Sequence, residues 1–180
     1  RRHRPLRPVL AAAPGVDVRR LAATGLLVTD DARALLHEAR AALVKSGTST
    51  LEAAVAGVPF VCAYRTSALT YALARRLVRV PHIALANLVA GEGVVPELLQ
   101  HDATPARLAA ALGELVADGG PRDRQLEGLE RIRRRLGAPG AAARTAQLVI
   151  DVLQRRSAQA ASPPRAEGGV EGYFDGAVDA

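Results

Sequence analysis

The sequence predicts an α/β protein: a parallel sheet covered by helices on both faces, running into a helical C-terminal part and a disordered tail. Three observations predict it. Short apolar runs alternate with longer segments of helical period through the first half of the chain. Those runs are continuously apolar rather than alternating, which suits strands buried on both faces. At 180 residues and 49% hydrophobic, with a mean hydropathy of +0.07, the chain has material for one sizeable core.

The elements follow in order. Arg7 to Ala13 (RPVLAAA) is a strand stopped by Pro14-Gly15, Val16 to Ala23 a short helix, and Gly25 to Val28 a second strand before Asp30 and Asp31 open a helix to Arg40. Ala41 to Lys45 is a third strand. The helix Thr48 to Ala56 stops at Gly57, Pro59 to Tyr64 (PFVCAY) is a fourth strand, and the helix Ala68 to Val80 leads to a fifth, His82 to Ala86. Pro96 to Gln100 reads as a short helix with proline at its first position. Thr104-Pro105 then caps a helix whose stripe is Leu108, Leu112, Leu115 and Val116, ending at Asp118 to Pro121. A second runs from Arg122 to Leu136, with Leu126, Leu129, Ile132 and Leu136 inward, and is stopped by Gly137 and Pro139. A third, Ala141 to Arg156, carries Leu148, Val149, Val152 and Leu153 on one side. From Ser157 onward four acids face one arginine, so this segment is −3 and the body +9. Its Pro-Pro pair, scattered glycines and low apolar density predict disorder, dividing the chain into a folded part, 1–156, and an acidic tail, 157–180.

Composition narrows the function. No apolar run reaches the roughly 18 residues of a spanning helix and no charged-then-apolar leader opens the chain, so a cytoplasmic-type protein is expected. One cysteine, Cys62, excludes a disulfide framework, and His3, His37, His82 and His101 lack metal-ligand spacing. No metal or cofactor is expected. Methionine is absent even from position 1, so the chain is expected to start inside something longer or after processing, as a fragment. The net charge of +6 suits an anionic partner: a phosphate, a nucleotide or a membrane surface. Two Phe and three Tyr give almost no stacking platform, so nucleic acid is not expected. Arg75, Arg76 and Arg79, with Arg131, Arg133, Arg134 and Arg135, form two basic helix faces that suit either solvent or anionic lipid.

In an open parallel sheet, ligands bind beyond the carboxyl ends of the strands, where helix N-termini point their free N–H groups. After the third strand stands Lys45-Ser46-Gly47-Thr48-Ser49-Thr50-Leu51-Glu52. A glycine and three hydroxyls beside a helix N-terminus can cradle a diphosphate without a metal. The same letters also make Ser49 and Glu52 an ordinary capping box, and the pattern alone leaves both readings open. Tyr64-Arg65-Thr66-Ser67 follows the fourth strand. Asn87 follows the fifth, to bond a ligand or to close an Asx turn, and Gln100 faces ligand or solvent.

The stretch from Lys45 to Gln100 closely resembles the lipid-A-disaccharide synthase family of inverting glycosyltransferases, built from two Rossmann-like domains (the GT-B fold). Its markers here are SGT-x-x-LE at Ser46 to Glu52, AGVP at Ala56 to Pro59, Tyr64-Arg65, the TYALARRLV helix at Thr70, NLVAG at Asn87 and VPELLQ ending at Gln100. The resemblance implies the Rossmann-like donor half of such an enzyme, the N-terminal domain being absent. It implies transfer of diacylglucosamine from UDP-diacylglucosamine to a diacylglucosamine phosphate acceptor, at the inner face of the cytoplasmic membrane and with no essential metal. By position, Ser46, Gly47 and Thr48 would hold the diphosphate, Glu52 the ribose hydroxyls, and Asn87 would act near the reaction centre. Tyr64, Arg65 and Gln100 match further donor-site positions. The resemblance leaves oligomerisation open. Two departures stand out: Ala86 replaces the family's usual proline before the asparagine, and Glu92-Gly93 stands where an arginine is usual. Rival readings are another UDP-sugar transferase of this architecture and a noncatalytic nucleotide-binding or membrane-docking domain.

Overall fold

Strand β1 (Val9–Ala11) pairs in parallel with β2 (Leu27–Thr29), Leu10 lying opposite Val28. A second parallel sheet runs in the order β3 (Ala42–Lys45), β4 (Phe60–Tyr64), β5 (Glu97–Leu99), with Lys45 opposite Ala63 and Tyr64 opposite Leu99. Helices α1 (Ala32–Glu38), α2 (Ser49–Ala56), α3 (Leu85–Ala90), α4 (Pro105–Val116) and α5 (Gly120–Leu136) belong to the same unit, which ends at Gly137. A second unit, from Ala138, holds α6 (Ala141–Ala161). This computed structural model describes residues 6–13, 15–19, 25–67, 70–71 and 80–161. Of the helix expected at Val16–Ala23, residues 16–18 are not helical and 20–23 lie outside the described residues; that expected at Ala68–Val80 lies outside them except for Thr70, Tyr71 and Val80.

The expected α/β class is the observed one, a Rossmann-like arrangement of parallel strands and covering helices. Local chemistry explains most element ends. Asp31 accepts a hydrogen bond from Ala34 N at 2.8 Å to open α1, and Thr104 accepts from Arg107 N at 3.3 Å to open α4 behind Pro105. Gly57 closes α2 with φ +73°, a left-handed backbone that costs glycine little.

Two segments exchange roles with respect to the expectation. His82 to Ala86 is not a strand: the backbone N–H groups of Ile83 and Ala84 bond the Glu97 carboxylate at 2.9 and 3.1 Å, and the chain turns into α3 at Leu85. Alanine and leucine, strong helix formers, carry that helix to Gly91. Conversely, Pro96 to Gln100 is not a helix. Glu97–Leu99 is the strand β5, followed by a 3₁₀ turn at Gln100–Asp102. Pro96 stands just before the strand, where its missing N–H costs no ladder bond, and its carbonyl accepts from Cys62 N at 2.9 Å. The helix α4 ends at Val116, just before the expected stop at Asp118 to Pro121; α5 starts at Gly120 rather than Arg122, with Pro121 in its first turn, and Leu136 at its end, expected inward, is 40% exposed. The helix α6 runs five residues beyond Arg156, so 157–161 are helical rather than disordered; the rest of the expected tail lies outside the described residues.

The core gathers Phe60 and Cys62 of β4, Ala53 and Ala54 of α2, Ala86 and Ala90 of α3, and Leu129 and Ile132 of α5. Alanines on α2 and α3 allow close packing, of α2 against β3 and of α3 against α2 and α5. Gln125 of α5 is buried among them. Its Oε1 accepts from Phe60 N at 2.8 Å and its Nε2 donates to Phe60 O at 3.1 Å, so one amide satisfies both backbone groups of a buried residue.

Candidate functional site

Because β3, β4 and β5 are parallel and in register, their carboxyl ends share one edge. Lys45, Tyr64 and Leu99 end the three strands there. Ser46 N donates to Ala63 O at 3.1 Å, tying the loop after β3 to β4. Ser46 Oγ donates to Ile83 O at 3.2 Å, and Thr50 Oγ1 donates to Gly47 O at 2.8 Å while accepting from Ala86 N at 3.4 Å. The start of α2 is thereby laced to the segment that enters α3. Gly47 turns the chain with φ +139°, a conformation side chains resist.

The capping box does not form. Thr48, not Ser49, is the N-cap of α2, and its side chain makes no capping bond. The hydroxyl residues Thr48 and Ser49 and the carboxylate of Glu52, one turn in, are all exposed. What the edge offers is a helix N-terminus with exposed hydroxyls, flanked by the exposed cations Lys45 and Arg65. Tyr64 is half-buried. Ser46, Gly47, Thr48, Tyr64, Arg65 and Gln100 thus belong to one edge, with Glu52 on the helix above it.

Asn87 is placed differently from the expectation. It lies within α3 rather than after a strand, and it is 1% exposed. Its Nδ2 donates to Val95 O at 2.9 Å and to Glu97 Oε1 at 2.8 Å, while its Oδ1 accepts from Val94 N and Val95 N, both at 2.9 Å. An amide can do no more than this. In this arrangement Asn87 holds the 94–97 segment against α3, and no hydrogen-bonding capacity is left for a ligand.

The carboxylate at the centre of this network went unremarked in the sequence. Glu97 accepts from Ile83 N, Ala84 N and Asn87 Nδ2, with His82 Nδ1 3.7 Å away. The signal was an acid inside the apolar run Val94 to Leu99, since a carboxylate in such a place needs partners. Its neighbour across the ladder is Cys62, whose thiol is pushed up to about 11 by burial, then by the Glu97 charge, with a Ser46 hydrogen bond acting in the opposite direction. Such a thiol is no nucleophile at neutral pH.

Gln100 carries two peculiarities. Its Oε1 accepts from Thr66 N at 3.0 Å, but its Nε2 is buried without a partner. Its backbone has φ +49°, the only positive value at a non-glycine residue among the described ones.

The basic cluster of α5 is largely committed inside the protein. Arg131 pairs with Glu92, Arg133 with Glu130, and Arg135 caps the end of α3 through the carbonyls of Val89 and Ala90. Arg75, Arg76 and Arg79 lie outside the described residues. A concave pocket of about 280 Å³ between α4 and α5, lined in part by Glu92, Glu114, Arg124 and Arg131, contains none of the expected site residues. Among the described residues no group of His, Cys, Asp or Glu is arranged to hold a metal, and no helix is long and apolar enough to cross a membrane.

Comparison with known proteins places the chain in a family. The family model for lipid-A-disaccharide synthetase matches residues 17–150. A lipid-A-disaccharide synthase of Acidobacterium capsulatum is 47% identical over 157 residues, covering 85% of this chain and 39% of that protein. Those of Anaeromyxobacter dehalogenans and Geobacter metallireducens are 45% and 40% identical, each over 83% of this chain and 37% and 40% of their own lengths. The chain therefore spans about two fifths of the length of these curated relatives. With most of its length matched by the model, the chain belongs to the lipid-A-disaccharide synthase family.

Proposed function

We propose that this chain is the donor-nucleotide half of a glycosyltransferase that moves diacylglucosamine from UDP-diacylglucosamine to a diacylglucosamine phosphate acceptor and releases UDP. The observation that carries the reading is the uncapped, exposed start of α2 at the carboxyl edge of the sheet, between Lys45 and Arg65. As the glycosidic bond to the donor breaks, negative charge develops on the departing diphosphate. A helix N-terminus, hydroxyls and fixed cations oppose that charge without a divalent metal. Ser46, Gly47 and Thr48 are the proposed diphosphate cradle, and Glu52 the acceptor of ribose hydroxyls. Tyr64 and Arg65 flank the cradle.

Asn87 enters this proposal as a positioning residue. Its amide spaces α3 from β5, and Glu97 holds Ile83 and Ala84 beside Ser46. The acceptor site and the catalytic base are assigned to the portion of the relatives that this chain does not match. Both substrates are lipids, which puts the work at the inner face of the cytoplasmic membrane, where basic residues such as Arg134 meet anionic headgroups.

The test is disaccharide formation by the full-length protein, read by mass spectrometry with EDTA present, together with UDP titration. Product formation in EDTA is expected, and Glu52→Ala should weaken UDP binding by about 1–3 kcal/mol with the melting temperature unchanged, since Glu52 is exposed. Loss of stability with unchanged UDP affinity would reduce Glu52 to a helix-terminus charge. UDP binding without disaccharide would point to a different acceptor.

A further inference from the structure

We propose that Glu97 is a positioning residue for the transfer reaction: its carboxylate fixes the Ile83–Ala84 backbone, and through Ile83 the Ser46 loop, without itself touching a substrate. This role rests on the nucleotide reading above and adds to it a group that stands away from the ligand. Residues 82–84 belong to no strand or helix, so their backbone N–H groups need an acceptor from elsewhere. Glu97, the first residue of β5, supplies it. Its Oε2 accepts from Ile83 N at 2.9 Å, and its Oε1 accepts from Ala84 N at 3.1 Å and from Asn87 Nδ2 at 2.8 Å.

The convergence of three donors on one side chain selects a carboxylate. That side chain is 13% exposed, so water does not take over the task. A glutamine of the same shape has one oxygen and would set its NH2 against at least one of the three N–H groups. Asn87 cannot turn its own oxygen to meet it, because Oδ1 is held by Val94 N and Val95 N. Placing a charge across the ladder from the fully buried Cys62 is unfavourable, and an apolar side chain would fill the same space with less desolvation. What an apolar side chain would not do is hold the segment. The other side of that segment meets the loop after β3: Ile83, whose N–H is on Glu97, accepts from Ser46 Oγ at 3.2 Å through its carbonyl. An unbroken run of hydrogen bonds therefore leads from Asn87 through Glu97 and Ile83 to Ser46, and the place of Ser46 is set from β5.

The experiment combines UDP titration with backbone amide exchange on the full-length protein, for wild type, Glu97→Gln, Ser46→Ala and the double variant. Glu97→Gln should weaken UDP about tenfold when Ser46 is present and less than about twofold in the Ser46→Ala background, since a residue that acts through Ser46 then has nothing to act on. Equal weakening in both backgrounds, or none in either, overturns the role. If Glu97→Gln does not fold, the wild type decides. UDP should slow exchange of the Ile83 and Ala84 amides about tenfold relative to the core amides of β4, and less than about twofold in Ser46→Ala, a response that an anchor serving stability alone would not give. Exchange at Ile83 and Ala84 that follows the β4 amides overturns the role of Glu97 while leaving the nucleotide reading in place. A wild type that binds no UDP overturns the nucleotide reading itself.

Discussion

Cys62 shows how one residue inside the sheet senses pH. It is fully buried in β4, opposite Glu97 in the ladder, and its thiol titrates near 11 instead of the ordinary 9.0. Because the folded state holds this proton more tightly than the unfolded chain, nothing is lost below pH 9 and stability falls as the pH rises from 9 to 11. That gap corresponds to about 3 kcal/mol. Chemical denaturation at pH 8 and pH 10.5 should show a steeper loss for the wild type than for Cys62→Ala. Parallel losses would mean that other groups dominate the alkaline limb. Asn87, in α3, illustrates what single letters conceal. An asparagine beside an apolar run suggests a turn or a ligand contact, yet here four internal bonds consume it, because Val94, Val95 and Glu97 fold back over α3. Only the tertiary path of the chain brings those partners near.

Packing between elements turns on Gly128 of α5. A Cβ there would run into the Val94 side chain, which lies in the segment that Asn87 holds in place. Alanine in a helix interior would ordinarily gain up to about 1 kcal/mol over glycine. Here overpacking, typically about 1–3 kcal/mol, opposes that gain, and Val94 has little freedom to retreat. Gly128→Ala should therefore lower stability in urea denaturation, and Val94→Ala in the same chain should recover part of the loss. A stabilised single variant would show that α5 can shift away from the 92–96 segment. Elements with their own local signals were legible: the caps at Asp31 and Thr104, the glycine stop at 57, and the apolar strands β3 and β4. The fifth strand was not. His82 to Ala86 and Val94 to Leu99 are both short apolar runs, and periodicity does not distinguish a buried strand from a short helix. The choice was made by Glu97, whose carboxylate takes the N–H groups of Ile83 and Ala84 away from any ladder. The carboxyl-edge loops at Ser46 and Tyr64 are untouched by that exchange because they follow β3 and β4, whose apolar runs carry their own signal.

At the scale of the whole molecule, the buried core draws its residues from Val44 to Ile132, all within the first unit, and the proposed donor residues from Ser46 to Gln100 fall inside the same span. By contrast, Leu148, Val149, Val152 and Leu153 of α6 are all more than half exposed. Folding and nucleotide binding should then be separable from the second unit. A chain ending at Gly137 should unfold cooperatively with a midpoint within a few degrees of the longer chain, as expected when no core residue is removed. Its UDP affinity should agree with that of the 180-residue chain within about twofold, less than 1 kcal/mol. A large fall in midpoint would assign α6 a share of the fold's stability. Normal folding with lost UDP binding would assign the second unit a direct part in holding the nucleotide, and would move the donor site beyond the edge formed by β3, β4 and β5.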